Sequence, residues 1–570
     1  MNLDNFSNAF NNLIIYYFYI IKFPYIFFIM EILNYIKNIL LFNDTAENIK
    51  CINLALLGAD NFSMLIYLNL GVSIQNSSLK PLYEQCVFNY YNNNINIESY
   101  NFKLTPKISF LIGNNDENND NKYLSINLLI LKYLLSLFSF YKPAKYHLPL
   151  TQKKVDYIFN DILESSFHKT VLNLKYQISC ANNLDISLTT NLHLIFLRIY
   201  GMRCVTYNKN TTEYIVDFSQ WENYEVEYPD VHYKYGGKLI ININDSRKTN
   251  ITYLNKTYYQ NDNDFKLISN ILCSTALVHI VGIQHGLYEH MYNSAIFSFH
   301  LKQLPLTHVL RKLTHVFTLD SVRVNRKAVD TIFSNHGLIG QSTALPKSTW
   351  NKVFDDYTEN YIFEDIESHF NKCGFIKNDK NFYFANDAIE IFLCLVNYCK
   401  AILTITYIND TNLKKDIHIN NFINELKNNI PYKIEESLLN ITIHDLSRLI
   451  ATFMYNVSFS HNQTTQTGCL LGSCLGLIVR KDTIYSNIQE FLYLINGHLG
   501  TNYHNSTTLA GNLSIIWCND NQKYTKEVFK LQNELSIIGE NIINRYINMG
   551  NLYMGDYTHI HQYVFVSTNT

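Results

Sequence analysis

Residues 265–299 have the sequence FKLISNILCSTALVHIVGIQHGLYEHMYNSAIFSF, a long apolar segment with the character of a helix. It contains two histidines, His285 and His290, that lie five positions apart. In a regular α-helix such residues point roughly 140° away from each other, so they can bind one metal ion together only where the helix is widened to π-helical geometry. The alternative is two unrelated histidines on a core helix.

Three shorter motifs, LPLTH, RKLTHVF and VNRKA, follow in one ungapped run between residues 304 and 328. With the preceding segment they resemble the iron-binding core of the lipoxygenases. That family has a helix opened by an aromatic residue, two metal histidines separated by four residues, a leucine-rich turn into a His-Phe pair, and an Asn-Ala-Arg helix. Phe265 takes the aromatic position, and Asn325 and Gly337 fall at the expected offsets. The histidine of the His-Phe pair is displaced, with His315 near it.

A second candidate metal helix lies at residues 445–463, DLSRLIATFMYNVSFSHNQ, where apolar residues repeat at helical spacing. Aligned without gaps from Asp445, this segment resembles the second metal helix of lipoxygenases and has His461 at the family's ligand position. One alternative is a capped helix end with a surface histidine. The other is a shifted register that puts Asn456 and Ser460 at the ligand positions but loses the upstream Asp-Leu match.

The resemblance implies two further ligands. The family's fourth side-chain ligand, commonly Asn, lies four residues after the third histidine, and here that residue is Thr465. A hydroxyl is a poorer ligand than an amide oxygen. The last ligand is the terminal carboxylate of the chain, which Thr570 carries here. His559 and His561 lie nearby and are rival ligands.

Imidazole and carboxylate donors suit iron or manganese, and the resemblance implies a single non-haem iron ion. In lipoxygenases a hydrogen atom is taken from a bis-allylic methylene of a polyunsaturated fatty acid, and O2 adds to the resulting radical to give a lipid hydroperoxide. A fatty acid and O2 are therefore the expected substrates. The resemblance places Leu304 and Leu313 near an apolar substrate channel, with ordinary core leucines as the alternative. The resemblance also places Asn335 at the position of the residue that controls oxygen access in the family.

Two other functions stay open at this point. The first is a degenerate lipoxygenase-like protein that binds lipid or a protein partner without turnover, because Thr465 and Thr570 weaken the metal site. The second is unrelated to the family and uses His285 with Glu289, which lie at i and i+4 on one helical face as in two-histidine-one-carboxylate iron sites. We expect Glu289 instead to face solvent or to support the ligands from behind.

The composition bounds the class of protein. The chain has 570 residues, of which 47% are hydrophobic, enough for a large buried core. Its net charge is −2 and it has no basic stripe, which argues against binding of nucleic acid. The 11 cysteines include no CxxC pair, which favours a reducing compartment over a disulfide scaffold. We therefore expect a cytoplasmic monomer.

The N-terminal region contains the one strongly apolar segment that suggests a membrane contact. Residues 13–30 are apolar but contain Lys22 and Pro24, and they predict an extension or membrane anchor over residues 1–29, with peripheral membrane contact. No second segment of this kind is evident, which argues against a polytopic membrane protein.

The polar run GNNDENNDNK at residues 113–122 marks a boundary. It separates an N-terminal subregion, residues 30–122, from a catalytic domain over residues 123–570. The fold class implied by the resemblance is mainly α: one large helical lipoxygenase-like catalytic domain with minor β pieces and without an N-terminal β-sandwich.

Overall fold

The structure is a computed structural model that describes residues 187–198, 203–305, 307–318, 321, 325, 343–375, 381–461, 463–464, 479, 481 and 522–548. All of these residues belong to one compact unit of the chain. The predictions for residues 1–29 and 30–122, and the boundary between residues 122 and 123, lie outside the described residues.

An antiparallel sheet precedes the central helix. After helix α1 (Thr189–Arg198), the strands are β1 (Val205–Asn208), β2 (Glu213–Asp217), β3 (Lys238–Asn242), β4 (Asn250–Tyr253) and β5 (Lys256–Tyr259). They pair in chain order. Val216 lies opposite Leu239, which lies opposite Ile251, and all three are fully buried, so alternate residues of the strands turn toward the core.

The central helix, α2 (Phe265–Lys302), contains both histidines of the first metal motif. It is α-helical over Phe265–His279, π-helical over Ile280–Ile296 and α-helical again over Phe297–Lys302. Its most apolar window is 89% buried. The helix begins at the aromatic residue of the motif, Phe265, whose side chain is buried.

The remaining described elements are helical apart from two short strands. The helices are α3 (Val309–Thr314), α4 (Lys347–Asn360), α5 (Ile366–Lys372), α6 (Tyr383–Tyr407), α7 (Asp410–Leu413), α8 (Ile417–Asn429), α9 (Ile443–Tyr455) and α10 (Gln522–Asn548). A π-helical segment, Asn456–Ser460, continues α9. Strands β6 (Ile362–Phe363) and β7 (Lys433–Ile434) pair in parallel. Short 3-10 turns cover Ser219–Asn223, Ser246–Lys248, Val316–Thr318 and Glu436–Leu439.

Two close packing contacts fix α2 and α6 in the core. Gly282 of α2 lets Trp350 of α4 approach, because a Cβ at that glycine would lie 2.7 Å from the indole ring. Helix α6 packs along both α9 and α10. Its fully buried Asp387 forms an ion pair with Arg545 of α10, which compensates the buried charge.

Helices α2 and α6 are each long and apolar enough to cross a membrane by length and composition. The statement that the chain has no second apolar segment of that kind is therefore wrong. Both helices are apolar because they face the protein interior: the most apolar window of α2 is almost completely buried, and that of α6 is 56% buried. Residues 13–30, the predicted anchor, lie outside the described part of the chain.

The predicted fold class is confirmed. The part of the chain that the structure describes is mainly helical, and its strands form one five-stranded sheet and one two-stranded pair.

Candidate metal centre

Three histidines from two helices meet in the interior. His285 and His290 come from the π-helical segment of α2, and His461 directly follows the π-helical segment that continues α9. Their ligand atoms all lie within 4.8 Å of one another, and among the described residues they are the one group of three or more His, Cys, Asp or Glu side chains close enough to bind a metal together.

The π-helical geometry is what brings the first two rings together. A wider turn aligns residues five apart on one face, as the spacing of His285 and His290 requires for a shared ion. The two π-helical segments, Ile280–Ile296 and Asn456–Ser460, contact each other, so the widened parts of both helices line the same point. The π-helical segment on α9 has no counterpart in the sequence interpretation.

The nitrogen spacings fit one coordinated ion. Nε2 of His290 lies 3.1 Å from Nε2 of His285 and 3.0 Å from Nε2 of His461. Two nitrogens bound at about 2.1 Å to one ion, at right angles to each other, would lie about 3.0 Å apart. The donors therefore have the separation expected of adjacent positions around an octahedral metal.

The tautomer of His290 is set by Asn325. Nδ1 of His290 lies 2.5 Å from Oδ1 of Asn325. The amide nitrogen of Asn325 donates to the hydroxyl of Ser294 and to the carbonyl of Ser321, which identifies the other amide atom as the accepting oxygen. Nδ1 of His290 is therefore the donor, and the lone pair of Nε2 points to the shared centre.

His285 is held in the same way by Thr464. Its Nδ1 lies 3.3 Å from Oγ1 of Thr464, and that hydroxyl lies within bonding distance of the carbonyls of Ser460 and His461. A hydroxyl that donates to a carbonyl accepts from Nδ1–H, which leaves Nε2 of His285 free of a proton. Sequence reasoning selected the next residue, Thr465, as a ligand and missed the supporting role of Thr464.

Burial keeps these imidazoles neutral. It lowers the pKa of His290 to about 4, although the hydrogen bond that His290 donates to Asn325 opposes this. Burial, with the neighbouring His290, also holds the pKa of His285 well below its usual range. Unprotonated nitrogens only 3 Å apart repel one another unless a cation lies between them, so the donor set fits a metal ion.

Glu289 belongs to a separate polar contact behind the ligands. Its side chain is buried and accepts from the hydroxyl of Ser460 at 2.6 Å and from the amide of Asn293 at 3.4 Å. Burial raises the pKa of Glu289 to about 7, although Arg203, Ser460 and Asn293 oppose this. Glu289 therefore does not face solvent, and the other expectation, that it supports the ligands from behind, stays a prediction. The two-histidine-one-carboxylate site gains no support, because Glu289 is not part of the metal-binding group.

The shifted register at α9 is also disfavoured. Asn456 accepts at Oδ1 from the Arg203 guanidinium at 2.8 Å, and the Ser460 hydroxyl is directed to Glu289. The unshifted register, which selects His461, therefore agrees with the geometry.

The other predicted site residues are of two kinds. Leu304 and Leu313 are buried in the core, and their place along a substrate channel stays a prediction. Thr465, Thr570 and Asn335, with the rival ligands His559 and His561, lie outside the described residues.

No protein-family model matches the sequence, and no curated protein matches it. Solved structures do match. One is the anaerobic crystal structure of the engineered lipoxygenase delta413-417:GS LOX in complex with arachidonate, at 15% identity and a TM-score of 0.53; the match covers 63% of this chain and 59% of that one. The fold is lipoxygenase-like. The chain thus spans less than two thirds of that first lipoxygenase.

Two other lipoxygenases share this lipoxygenase-like fold. A calcium-dependent 11R-lipoxygenase matches at 12% identity and a TM-score of 0.53, over 75% of this chain and 68% of its own. The fungal lipoxygenase from Fusarium graminearum matches at 12% identity and a TM-score of 0.50, over 78% of this chain and 86% of its own. At these identities the likeness concerns the fold.

Proposed function

We propose that the protein is a non-haem iron dioxygenase that adds O2 to a polyunsaturated fatty acid at a bis-allylic methylene and gives a lipid hydroperoxide. The observation that carries this proposal is the approach of three imidazoles to one point, with Nε2–Nε2 separations of 3.0 and 3.1 Å. Iron bound there would supply the abstraction of the hydrogen atom and the control of the redox state.

The side chains would divide the work as follows. His285, His290 and His461 would hold the iron, with Thr465 and the carboxylate of Thr570 completing the donor set in this proposal. Asn325 and Thr464 hold the first two rings in the tautomer that keeps a lone pair on Nε2. His290 and His461 are buried, which limits the access of water to these ligands and favours a radical reaction on an apolar substrate.

The lipoxygenase-like fold supports the choice of substrate. One structure with this fold is a complex with arachidonate, and a fatty acid would suit an interior lined by residues such as Leu304 and Leu313. We extend the substrate class to this chain as part of the proposal.

The degenerate alternative rests on one feature of the sequence. Thr465 offers a hydroxyl where the family commonly has an amide, and a weaker donor set lowers the affinity for the metal. In that case the protein would bind lipid or a protein partner without turnover.

Two measurements on the purified full chain separate these functions. Metal analysis reports the iron content, and oxygen uptake with linoleate or arachidonate, followed also by conjugated-diene absorbance, reports turnover. The dioxygenase predicts about one iron per chain together with uptake and diene formation. Bound iron without uptake supports the degenerate protein. The absence of any bound transition metal after growth in iron-supplemented medium and anaerobic reconstitution with Fe²⁺ would rule out the metal centre itself.

A further inference from the structure

A second chemical cluster lies on helix α5, apart from the three histidines. Nδ1 of His369 donates to Oε1 of Glu364 at 2.9 Å, and Nε2 of the same ring lies 3.8 Å from Sγ of Cys373. The other carboxylate oxygen of Glu364 accepts from Nζ of Lys372 at 2.5 Å. A nucleophile, a base within reach of it and a carboxylate that orients the base are the three parts of an activated thiol.

The geometry of α5 explains why these groups meet. His369 and Cys373 are at i and i+4, so they lie on one face of the helix end. Asp365 caps the start of α5 and is bound by Arg448 through two contacts, at 2.8 and 3.1 Å. These contacts hold the N-terminal end of α5 in place, and the position of its last turn follows from that.

The other end of α5 is fixed against the sheet. The carbonyl of Cys373 accepts from the backbone N–H of Tyr207 in β1 at 2.7 Å. Gly374 follows with a φ of +85°, and a Cβ there would lie 2.2 Å from the carbonyl oxygen of Tyr207. Only glycine fits this close approach. The sulfur of Cys373 is thus held beside the ring rather than on a fraying terminus.

The charges around His369 favour an imidazolium. Burial opposes the charge, but the contacts with Cys373 and Glu364 outweigh it and raise the pKa of His369 to about 9. The negative end of a helix also favours a cation. Lys372 and Arg203 are the nearby cations, and Glu435 is a further carboxylate that binds Lys372. The protonated ring carries a proton on Nε2, which lies 3.8 Å from Sγ of Cys373.

Cys373 is also accessible. It is partly exposed, and the side chain of His369 is 23% exposed. Cys273, Cys394 and Cys399 are buried. Cys204 is the other partly exposed cysteine in the described residues, but burial of its sulfur raises the pKa of Cys204 to about 12. The neighbouring Cys373 adds to this rise, so Cys204 lies near the proposed site and serves as the less reactive thiol for comparison.

We propose that Cys373, His369 and Glu364 form a thiol site that reduces a hydroperoxide, with Cys373 as the nucleophile. An acyl-transfer site would need backbone N–H groups that face the substrate oxygen. Those of Cys373, Gly374 and Phe375 already donate to the carbonyls of His369, Asn371 and Phe370. Reduction of a peroxide needs no such pair, because a proton for the departing oxygen is sufficient, and His369 supplies it.

The reaction is balanced with the groups present. The thiolate of Cys373 attacks the terminal oxygen of ROOH, an S–O bond forms and the O–O bond breaks. The departing alkoxide takes the proton from Nε2 of His369, which gives the alcohol ROH and a neutral imidazole. The sulfur is oxidised by two electrons to a sulfenic acid, and the peroxide is reduced by the same two electrons. A small thiol added from solution returns Cys373 to the reduced state.

The test is trapping of the sulfenic acid by dimedone. The purified full chain is treated with cumene hydroperoxide and dimedone, and the adducts at Cys373 and Cys204 are quantified over time by peptide mass spectrometry. We expect adduct formation at Cys373 at least about tenfold faster than at Cys204, and a loss of at least about tenfold in His369→Gln, because proton transfer by a positioned group contributes that much or more. Glu364→Gln should lie between wild type and His369→Gln.

The matched control is His444→Gln, which changes an exposed histidine that is not one of the three residues of the proposed site. It should leave the rate at Cys373 unchanged. Equal rates at Cys373 and Cys204 in the wild-type chain would overturn the proposal, whatever the variants do. A rate at Cys373 that survives both His369→Gln and Glu364→Gln would overturn the roles of those two residues.

This outcome is independent of the metal centre. Adduct formation at Cys373 in a chain that takes up no oxygen would support the thiol site and count against the dioxygenase. Oxygen uptake in a chain whose Cys373 reacts no faster than Cys204 would do the reverse.

Discussion

The metal centre and the α5 cluster use the same side chain in opposite charge states. His290 is buried with an amide as its partner, and its pKa falls to about 4. His369 is partly exposed with a carboxylate as its partner, and its pKa rises to about 9. Burial without an anion keeps an imidazole neutral and able to bind a metal, whereas a carboxylate within hydrogen-bonding distance makes it a cation and an acid.

The largest effect is expected at the metal centre. His461→Ala removes one of the three imidazoles, and it should lower iron content to below about a tenth of wild type and abolish oxygen uptake, because even the loss of a group that supports a ligand costs about 10–100-fold in affinity. Metal analysis and oxygen uptake measure this.

The control for that variant is His300→Ala on α2, the helix that contains the other two histidines. His300 is buried but lies outside the group of three histidines, so its loss should leave the iron content unchanged. A His461→Ala protein that retains its iron would remove the third ligand from the proposal.

The next effect concerns how the neutral state of His290 is held. Asn325→Ala deletes the oxygen that accepts from Nδ1, and we expect the dissociation constant for Co²⁺, as a spectroscopic probe of the site, to rise about 10–100-fold. Asn325→Asp retains an acceptor oxygen and should recover most of the affinity. If both variants bind Co²⁺ like wild type, Asn325 does not position the ring.

A third histidine tests burial without any metal ligand nearby. His279 lies among the rings of Phe218, Trp221 and Tyr357, and burial lowers its pKa to about 3. Its folded pKa is below the unfolded value, so stability is lost as pH falls from about 6.5 toward 3. The free energy of unfolding of His279→Phe, relative to that of the wild type, should therefore rise by about 2 kcal/mol when the pH is lowered from 8 to 5.

Urea unfolding at the two pH values measures the effect of His279→Phe. The difference at pH 8 reports the change in packing alone, and only the change of that difference with pH reports the charge. A difference that does not vary with pH would show that His279 is not held neutral by burial.

The smallest expected effect concerns His369, whose contribution to stability changes with pH in the opposite direction to that of His279. The folded pKa of His369, about 9, lies above the unfolded value, so its stabilisation is fully present below about pH 6.5 and is lost as pH rises through about 9. His369→Gln should cost of order 1 kcal/mol more at pH 6 than at pH 10, after allowance for solvent screening of a partly exposed pair. Unfolding midpoints at both pH values measure this, and an equal cost at both would contradict the assignment of a cation.

The sequence predicted those parts of the site that depend on spacing within one helix. A pair of histidines five residues apart requires π-helical geometry to share an ion, and the helix is π-helical over Ile280–Ile296. The helical register from Asp445 selected His461, which the structure brings to the other two. The five-residue spacing carried this information because local backbone geometry alone converts it into direction.

The same reasoning missed features that depend on partners. Sequence reasoning left open whether Glu289 faces solvent or supports the ligands, and burial against Ser460, which lies 171 positions further along the chain, excludes the first. The α5 cluster was not selected, although Glu364, His369 and Cys373 are close in sequence. The His-x-x-x-Cys spacing at residues 369–373 was the available signal, but it does not contain the exposure or the charge state of these side chains.

By itself the sequence determined which histidines on the two helices can bind one metal ion, because side-chain direction follows from helical spacing over a few residues. Only the tertiary structure decided the tautomer and the protonation state of each imidazole. Nδ1 of His290 meets Asn325 across 35 positions, and Nδ1 of His285 meets Thr464 across 179. Tautomer, protonation and burial are set by such distant partners, and packing of the whole chain brings those partners into contact.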